Sequence, residues 1–303
     1  MITKIIKPLS MTLMCAAFIS MVGCGSSSEG NKSSDDDDKG SEDSSYTVSL
    51  SQVGVGVDDL EASVTFFEDG LGMHEVERIT RDNRIEVIMA SENGRGADIA
   101  LMKFNDANIV VDQNPGKIVF YTADASKLAE DLEAAGGVIV EPPKAQASVG
   151  GVVVGFGRDI NKNIIEIVEQ DTESTFISAI GIGVSDLDAA YDFYVNSLGF
   201  NEYYYIPIAG KYNEYILTSD VENTPSLVIM NWVDEEERNY IDNPVKILLE
   251  SNNPQALSDA IESAGETVTQ EPSASTEADL DGATVGYAKD ADGTLIEIRD
   301  SAD

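Results

Sequence analysis

Residues 53–62 read VGVGVDDLEA and residues 180–189 read IGIGVSDLDA. The two stretches are copies of one another, and the correspondence continues well past them. Val53 matches Ile180, Phe66 matches Phe193 and Leu71 matches Leu198 at an offset of 127; Lys117 matches Lys246 at 129, and Glu166 matches Glu297 at 131. An offset that drifts this slowly is the mark of a tandem duplication with small loop insertions. It predicts two domains, 47–170 and 175–300, each near the usual size for a single hydrophobic core. The polar joint EQDTES, Glu169 to Ser174, is short enough to keep them close neighbours.

Inside each copy a weaker repeat appears. Gln52 to Val57 alternates Val53, Val55 and Val57 with Gln52, Gly54 and Gly56, the period of a strand with one buried face. Asp59 is placed to cap a helix in which Leu60, Val64 and Phe67 share a face, with Gly70 or Gly72 as its stop. Strands follow near His74 to Thr80, Arg84 to Ala90 and Ala97 to Phe104. The pattern then restarts: strand Lys117 to Thr122, helix Ser126 to Ala135 stopped by Gly136-Gly137, and strands near Val138 to Glu141, Val152 to Arg158 and Asn163 to Val168. The second copy repeats this, its last helix opened by Asn253 as cap and Pro254 in the first turn. The fold class is α+β, with two modules of strand, helix and three strands in each domain.

This arrangement resembles the vicinal oxygen chelate superfamily, which includes glyoxalase, extradiol dioxygenases and bleomycin and fosfomycin resistance proteins. The residues that carry the likeness are VGVGVDDLEASVTFFEDGLGM from Val53, IGIGVSDLDAAYDFYVNSLGF from Ile180, RDINKNIIEIVE from Arg158 and KDADGTLIEIRD from Lys289. The resemblance covers residues 50–300. It implies that the two modules of each domain curl into a cup with helices outside, the first and last strands of each module side by side across the floor. Gln52, Gly54 and Gly56, and in the second copy Ala179, Gly181 and Gly183, then face inward over an open floor. Glycine in a strand marks either a close approach to the backbone or a place where the sheet must bend.

Metal-using members of the superfamily place ligands on the first and last strands of each module. Carried onto this chain, those positions are Gln52, Ala100, Lys117 and Glu166 in the first domain and Ala179, Val228, Lys246 and Glu297 in the second. Alanine and valine offer no lone pair and lysine is a cation at neutral pH, so no metal or other cofactor is expected. The single histidine, His74, lies away from every ligand position, so a two-histidine iron site cannot be built within the chain. Lys117 with Glu166, and Lys246 with Glu297, should instead form ion pairs on adjacent strands. The ligand-binding candidates are therefore Gln52, Lys117, Glu166, Lys246 and Glu297. Tyr203, Tyr204, Tyr205, Trp232 and Tyr240 read either as a wall over the second cup or as strand aromatics packed in the core.

Residues 1–23 carry Lys4, Lys7 and an apolar run from Leu9 to Val22, the form of a secretory signal. Met21-Val22-Gly23-Cys24 resembles the bacterial lipoprotein cleavage box, with Cys24 as the lipidated residue. Of the two cysteines, Cys15 leaves with the signal, so no internal disulfide can form. Residues 24–46 form an acidic, Ser- and Gly-rich linker containing Asp35-Asp36-Asp37-Asp38-Lys39, expected to be a flexible tether of roughly 25 Å. The formal net charge is −36, and −38 once Lys4 and Lys7 are lost. Such a balance excludes nucleic acid as a partner and leaves a cationic small molecule as a candidate ligand.

These observations point to an envelope lipoprotein, held in the lipid bilayer through Cys24 at the outer membrane where the host has one. Its expected task is metal-free small-molecule binding or sequestration. A metal-dependent lyase or isomerase of glyoxalase type is the enzyme alternative, and it would need Gln52 and Glu166 to recruit further ligands. An interaction module with vestigial cups is the third reading.

Overall fold

The computed structural model describes residues 45–146, 150–234, 238–275 and 282–301. The signal, Cys24 and nearly all of the linker lie outside the described residues, as does the acidic run beyond Asp234 up to Glu237.

The first module comprises β1 (Val48–Gly56), α1 (Leu60–Leu71), β2 (Met73–Thr80), β3 (Arg84–Ser91) and β4 (Asp98–Phe104). The second is β5 (Lys117–Thr122), α2 (Ala125–Ala134), β6 (Val138–Gln146), β7 (Val152–Arg158) and β8 (Ile164–Glu169). The third holds β9 (Phe176–Gly183), α3 (Leu187–Tyr191) running into a π-helical turn (Asp192–Ser197), β10 (Asn201–Ile208), β11 (Tyr212–Thr218) and β12 (Ser226–Trp232). The fourth is β13 (Val245–Ser251), α4 (Pro254–Ser263), β14 (Thr267–Ala274), β15 (Thr284–Lys289) and β16 (Leu295–Asp300). Asp59 and Asn253 cap their helices through the backbone N–H groups of Ala62 and Ala256, as their positions predict. Gly72, in the left-handed region, ends α1.

Within each module the first and last strands lie side by side and parallel, β1 with β4, β5 with β8, β9 with β12 and β13 with β16. The expectation that fails is which modules share a sheet. β1 pairs antiparallel with β13, and β5 with β9. One eight-stranded sheet therefore runs β14-β15-β16-β13-β1-β4-β3-β2, and the other β10-β11-β12-β9-β5-β8-β7-β6. Each cup is built by one module from each domain: the first cup by modules one and four, the second by modules two and three. The physical reason is edge satisfaction: the outer edge of each first strand can be paired by any antiparallel first strand of matching alternation, and the four are near equivalents.

Alternation assigns the faces as the sequence predicts. Val53, Val55, Ile99, Leu101, Ile247 and Ile296 point to the helix side and join a continuous apolar core that also takes in Ile118, Ile180 and Ile229 of the other sheet. At roughly 1.5–3 kcal/mol for each fully buried aliphatic side chain, this shared core is the main stabilising term. Intervening residues such as Met102, Glu86, Lys246 and Glu297 face the cup.

Candidate functional site

The inward glycines do mark a close approach, but the floor is not open. A Cβ at Gly54 would lie 3.0 Å from the end of Met102 and 3.1 Å from the stem of Lys246; one at Gly181 would lie 2.7 Å from the stem of Lys117. Gly56 and Gly183 are covered by Pro244 and Pro115 at 2.9 and 2.4 Å from the same imagined atom. The glycines thus make room for a lysine from the neighbouring strand and for the loop that leads into it.

Both predicted ion pairs form. Lys117 Nζ lies 3.0 Å from Glu166 Oε2, and Lys246 Nζ lies 2.8 Å from Glu297 Oε2. Each lysine also has a second carboxylate that the sequence reading missed: Glu214 on β11 at 2.7 Å from Lys117, and Glu86 on β3 at 2.9 Å from Lys246. Glu86 and Glu214 are themselves equivalents at an offset of 128, each a lone acid in an apolar strand, and that recurrence was the available signal. All six residues are at most 5 % exposed. In the first cup Arg84 and Arg299 extend the cluster, bonding Glu86 and Glu297 at 2.5 and 2.6 Å.

The regrouping of modules separates Gln52 from Glu166. Gln52 and Ala100 belong to the sheet that carries Lys246 and Glu297, whereas Lys117 and Glu166 share theirs with Ala179 and Val228. Gln52 is buried and its Oε1 accepts no hydrogen bond. The donor set around each lysine does not suit a divalent cation. In each cup an ammonium stands among the carboxylates, and Ala100, or Ala179 with Val228, occupies positions that would need lone pairs.

Electrostatics distinguish the two clusters. Burial pushes the Glu86 and Glu297 carboxyls up, but Lys246, with Arg84 and Arg299, outweighs it and holds both below the ordinary glutamate value. Burial pushes Glu214 up, Lys117 opposes it and Glu166 adds its repulsion, leaving Glu214 above the ordinary value. Its Oε1 is buried without a partner.

The cups also differ in filling. The second holds a large apolar cluster that includes Val119, Phe156, Tyr212, Val228, Met230 and Trp232, with the Tyr212 ring centroid 5.9 Å from Lys117 Nζ. Trp232 Nε1 donates to the carbonyl of Pro115 at 2.8 Å, and the Trp232 backbone N–H donates to the Tyr240 hydroxyl at 3.0 Å. Tyr203, Tyr204 and Tyr205 lie instead on the exposed edge strand β10, where Tyr205 stacks on Tyr215 and Tyr215 on the helical Tyr191. A cavity of about 530 Å³ lies away from them, lined by residues of the loop before β5 with Arg158, Trp232 and Arg238, and does not reach Lys117. The first cup has a smaller apolar cluster of Ile79, Ile88, Ala100 and Met102. Its cavity, about 290 Å³, is lined by Arg84, Lys246 and Lys289, the last paired with Asp242 at 2.9 Å, together with Met102, Phe104 and Leu295. His74 is an exposed residue of β2.

The Glyoxalase/Bleomycin resistance protein/Dioxygenase superfamily model matches residues 49–167 and 176–298. Among solved structures, a point mutant of glyoxalase I from Zea mays superposes with a TM-score of 0.70 at 18% identity, covering 84% of this chain and 93% of that one. A putative dioxygenase from Bacillus subtilis gives 0.61 at 16% identity, covering 85% and 86%. At these identities the likeness is one of fold. No curated protein matches the sequence. Among the described residues, no helix is long and apolar enough to cross a membrane.

Proposed function

From the premise that this chain belongs to the Glyoxalase/Bleomycin resistance protein/Dioxygenase superfamily, we propose that it binds a small organic anion in the first cup, without a metal. The observation that carries this reading is the cavity that reaches Lys246, whose lining combines Arg84, Lys246 and the Lys289–Asp242 pair with apolar side chains such as Met102, Phe104 and Leu295. Ligand pockets are often built this way, with apolar walls for affinity and a few polar groups for orientation. Lys246 and its neighbours form a cluster of three cations and two carboxylates, so an incoming anion meets a positive balance. The cationic ligand suggested by the net charge is less well served there. The second cup, filled by its own side chains, has a supporting role. On the same reading the body is held at an envelope membrane through lipidated Cys24, which fatty-acid labelling lost in Cys24→Ala would check.

The test is thermal unfolding of the chain with a panel of small carboxylates, phosphates and amines in the presence of a chelator. A ligand that binds only the folded state raises its stability. Stabilisation by anions that disappears in Met102→Trp, which fills the cavity, is the expected result. Stabilisation that survives this change, or that appears only when the chelator is left out, would overturn the proposal.

A further inference from the structure

The loops that close modules two and four are copies, RDINKN from Arg158 and KDADGT from Lys289, yet they hold different networks. In the first copy Asp159 accepts hydrogen bonds from the backbone N–H groups of Asn161 and Asn163 and from the Asn163 amide. Asn161 accepts from the Asp58 backbone N–H at 3.0 Å and donates to the Ser63 hydroxyl at 3.0 Å, so both ends of its amide are used.

In the second copy Asp290 repeats Asp159, accepting from the backbone N–H groups of Asp292 and Thr294, and it also accepts the Tyr194 hydroxyl at 2.9 Å. Asp292 stands where Asn161 stood. Its Oδ2 accepts from the Ser185 N–H at 2.8 Å, in parallel with Asn161 and Asp58. The residue matching Ser63 is Ala190, and the Oδ1 of Asp292 is buried with no hydrogen-bond donor. The residue matching Gly137 is Glu266. Asp292, 5 % exposed, lines a cavity of about 50 Å³ together with Ala190, Tyr194, Glu266 and Asp290, and no lysine or arginine among the described residues lines it. Relative to its copy, this corner has a carboxylate at Asp292 in place of the Asn161 amide and another at Glu266 in place of Gly137, and it has exchanged the Ser63 hydroxyl for that of Tyr194.

We propose that this corner, between the third helix and the loop joining β15 to β16, binds a hard divalent cation of calcium type through Asp292 Oδ1 and Glu266, with Asp290 behind them. An all-oxygen donor set without histidine or cysteine selects such an ion over a transition metal. The cavity is large enough for an ion and a water. Among the described residues no three carboxylates are already gathered at chelating spacing. Water therefore completes the coordination, and the expected affinity is in the range of about 0.1–1 mM typical of weak extracellular calcium sites.

The test uses the full chain with calcium chloride, terbium chloride, and sodium chloride at matched ionic strength. Calcium is expected to raise the unfolding midpoint by a few degrees beyond sodium. Terbium should show luminescence excited through tyrosine, Tyr194 being at the site, and calcium should displace it. The double variant Ala190→Ser with Asp292→Asn rebuilds the pair that the other copy already uses, so it should fold, and it should lose both responses. A calcium response no larger than that of sodium, or one that persists in the double variant, would overturn the site. Neither outcome bears on the anion-binding cup, which is probed with chelator present.

Discussion

Lys246 and Lys117 are equivalents, and each meets two buried carboxylates, but the first cup places Arg84 and Arg299 where the second has Tyr212 and Val168. Among the described residues, one cluster therefore counts three cations to two carboxylates and the other one to two. The first keeps its glutamates ionised and leaves a cavity over the lysine; the second leaves Glu214 disposed to take a proton and packs aromatic side chains over it. Of two equivalent positions, one borders a cavity and the other is packed into core. Buried ion clusters contribute little net stability against an apolar replacement, but removing one partner is costly.

The largest effect should come from removing the lysines. Lys246→Met is expected to cost about 3–5 kcal/mol in urea unfolding, because Arg84 and Arg299 keep two buried carboxylates charged. Lys117→Met should cost a similar amount at pH 7.5, but its deficit relative to wild type should shrink as the pH falls, because Glu214, whose carboxyl is raised, takes a proton sooner than Glu86 and Glu297. Equal behaviour of the two variants with pH would erase the distinction between the cups.

Neutralising one acid in each cup gives a sharper and smaller contrast. Glu297→Gln should lose about 2–3 kcal/mol, since charge-assisted bonds to Lys246 and Arg299 are weakened. Glu214→Gln should lose less, about 1 kcal/mol, because Glu166 remains beside Lys117 and the burial that raises the Glu214 carboxyl opposes its charge. A loss in Glu214→Gln as large as that in Glu297→Gln would show that Glu214 is a firmly ionised partner of Lys117.

The pH dependence follows from the same shifts. Glu86 and Glu297 have folded values below the unfolded one, so their contribution is present above about pH 4.5 and is lost as pH falls through the folded values. Glu214 has the opposite sign: its folded value is raised, so the stability it contributes as an acid is present below about pH 4.5 and is lost as pH rises through its folded value. Carboxyl-labelled NMR titration should show Glu214 taking its proton before Glu86 and Glu297 on acidification. The smallest effect concerns Gln52, which stands where the second cup has Ala179. Because its Oε1 lacks a donor, Gln52→Leu should change stability by less than about 1 kcal/mol in thermal or urea unfolding.

Much of this was legible in the sequence. The duplication, the four modules, the caps at Asp59 and Asn253 and the pairing of Lys117 with Glu166 all rest on local period or on a two-residue alternation that a strand cannot evade. What escaped was non-local. The edges of β1, β5, β9 and β13 carry nearly the same pattern, so nothing local says that β1 seeks β13. The same ambiguity hid Glu86 and Glu214, which come from the third strand of a module and reach their lysines only once the sheets are assembled. The filling of the cup floor also depended on loops, Pro115 and Pro244, whose path has no periodic signal.

The pairing of β1 with β13 also has a consequence for how the chain is made. Val48 meets Ser251 in that ladder, so one side of β1 remains an open edge until the fourth module has emerged. The second cup, whose β5 and β9 are close in sequence, can close while synthesis continues. The first cup has the higher contact order and forms last. A nascent or truncated chain therefore carries an unpaired, apolar edge strand, the form of surface from which strand exchange between copies and aggregation begin.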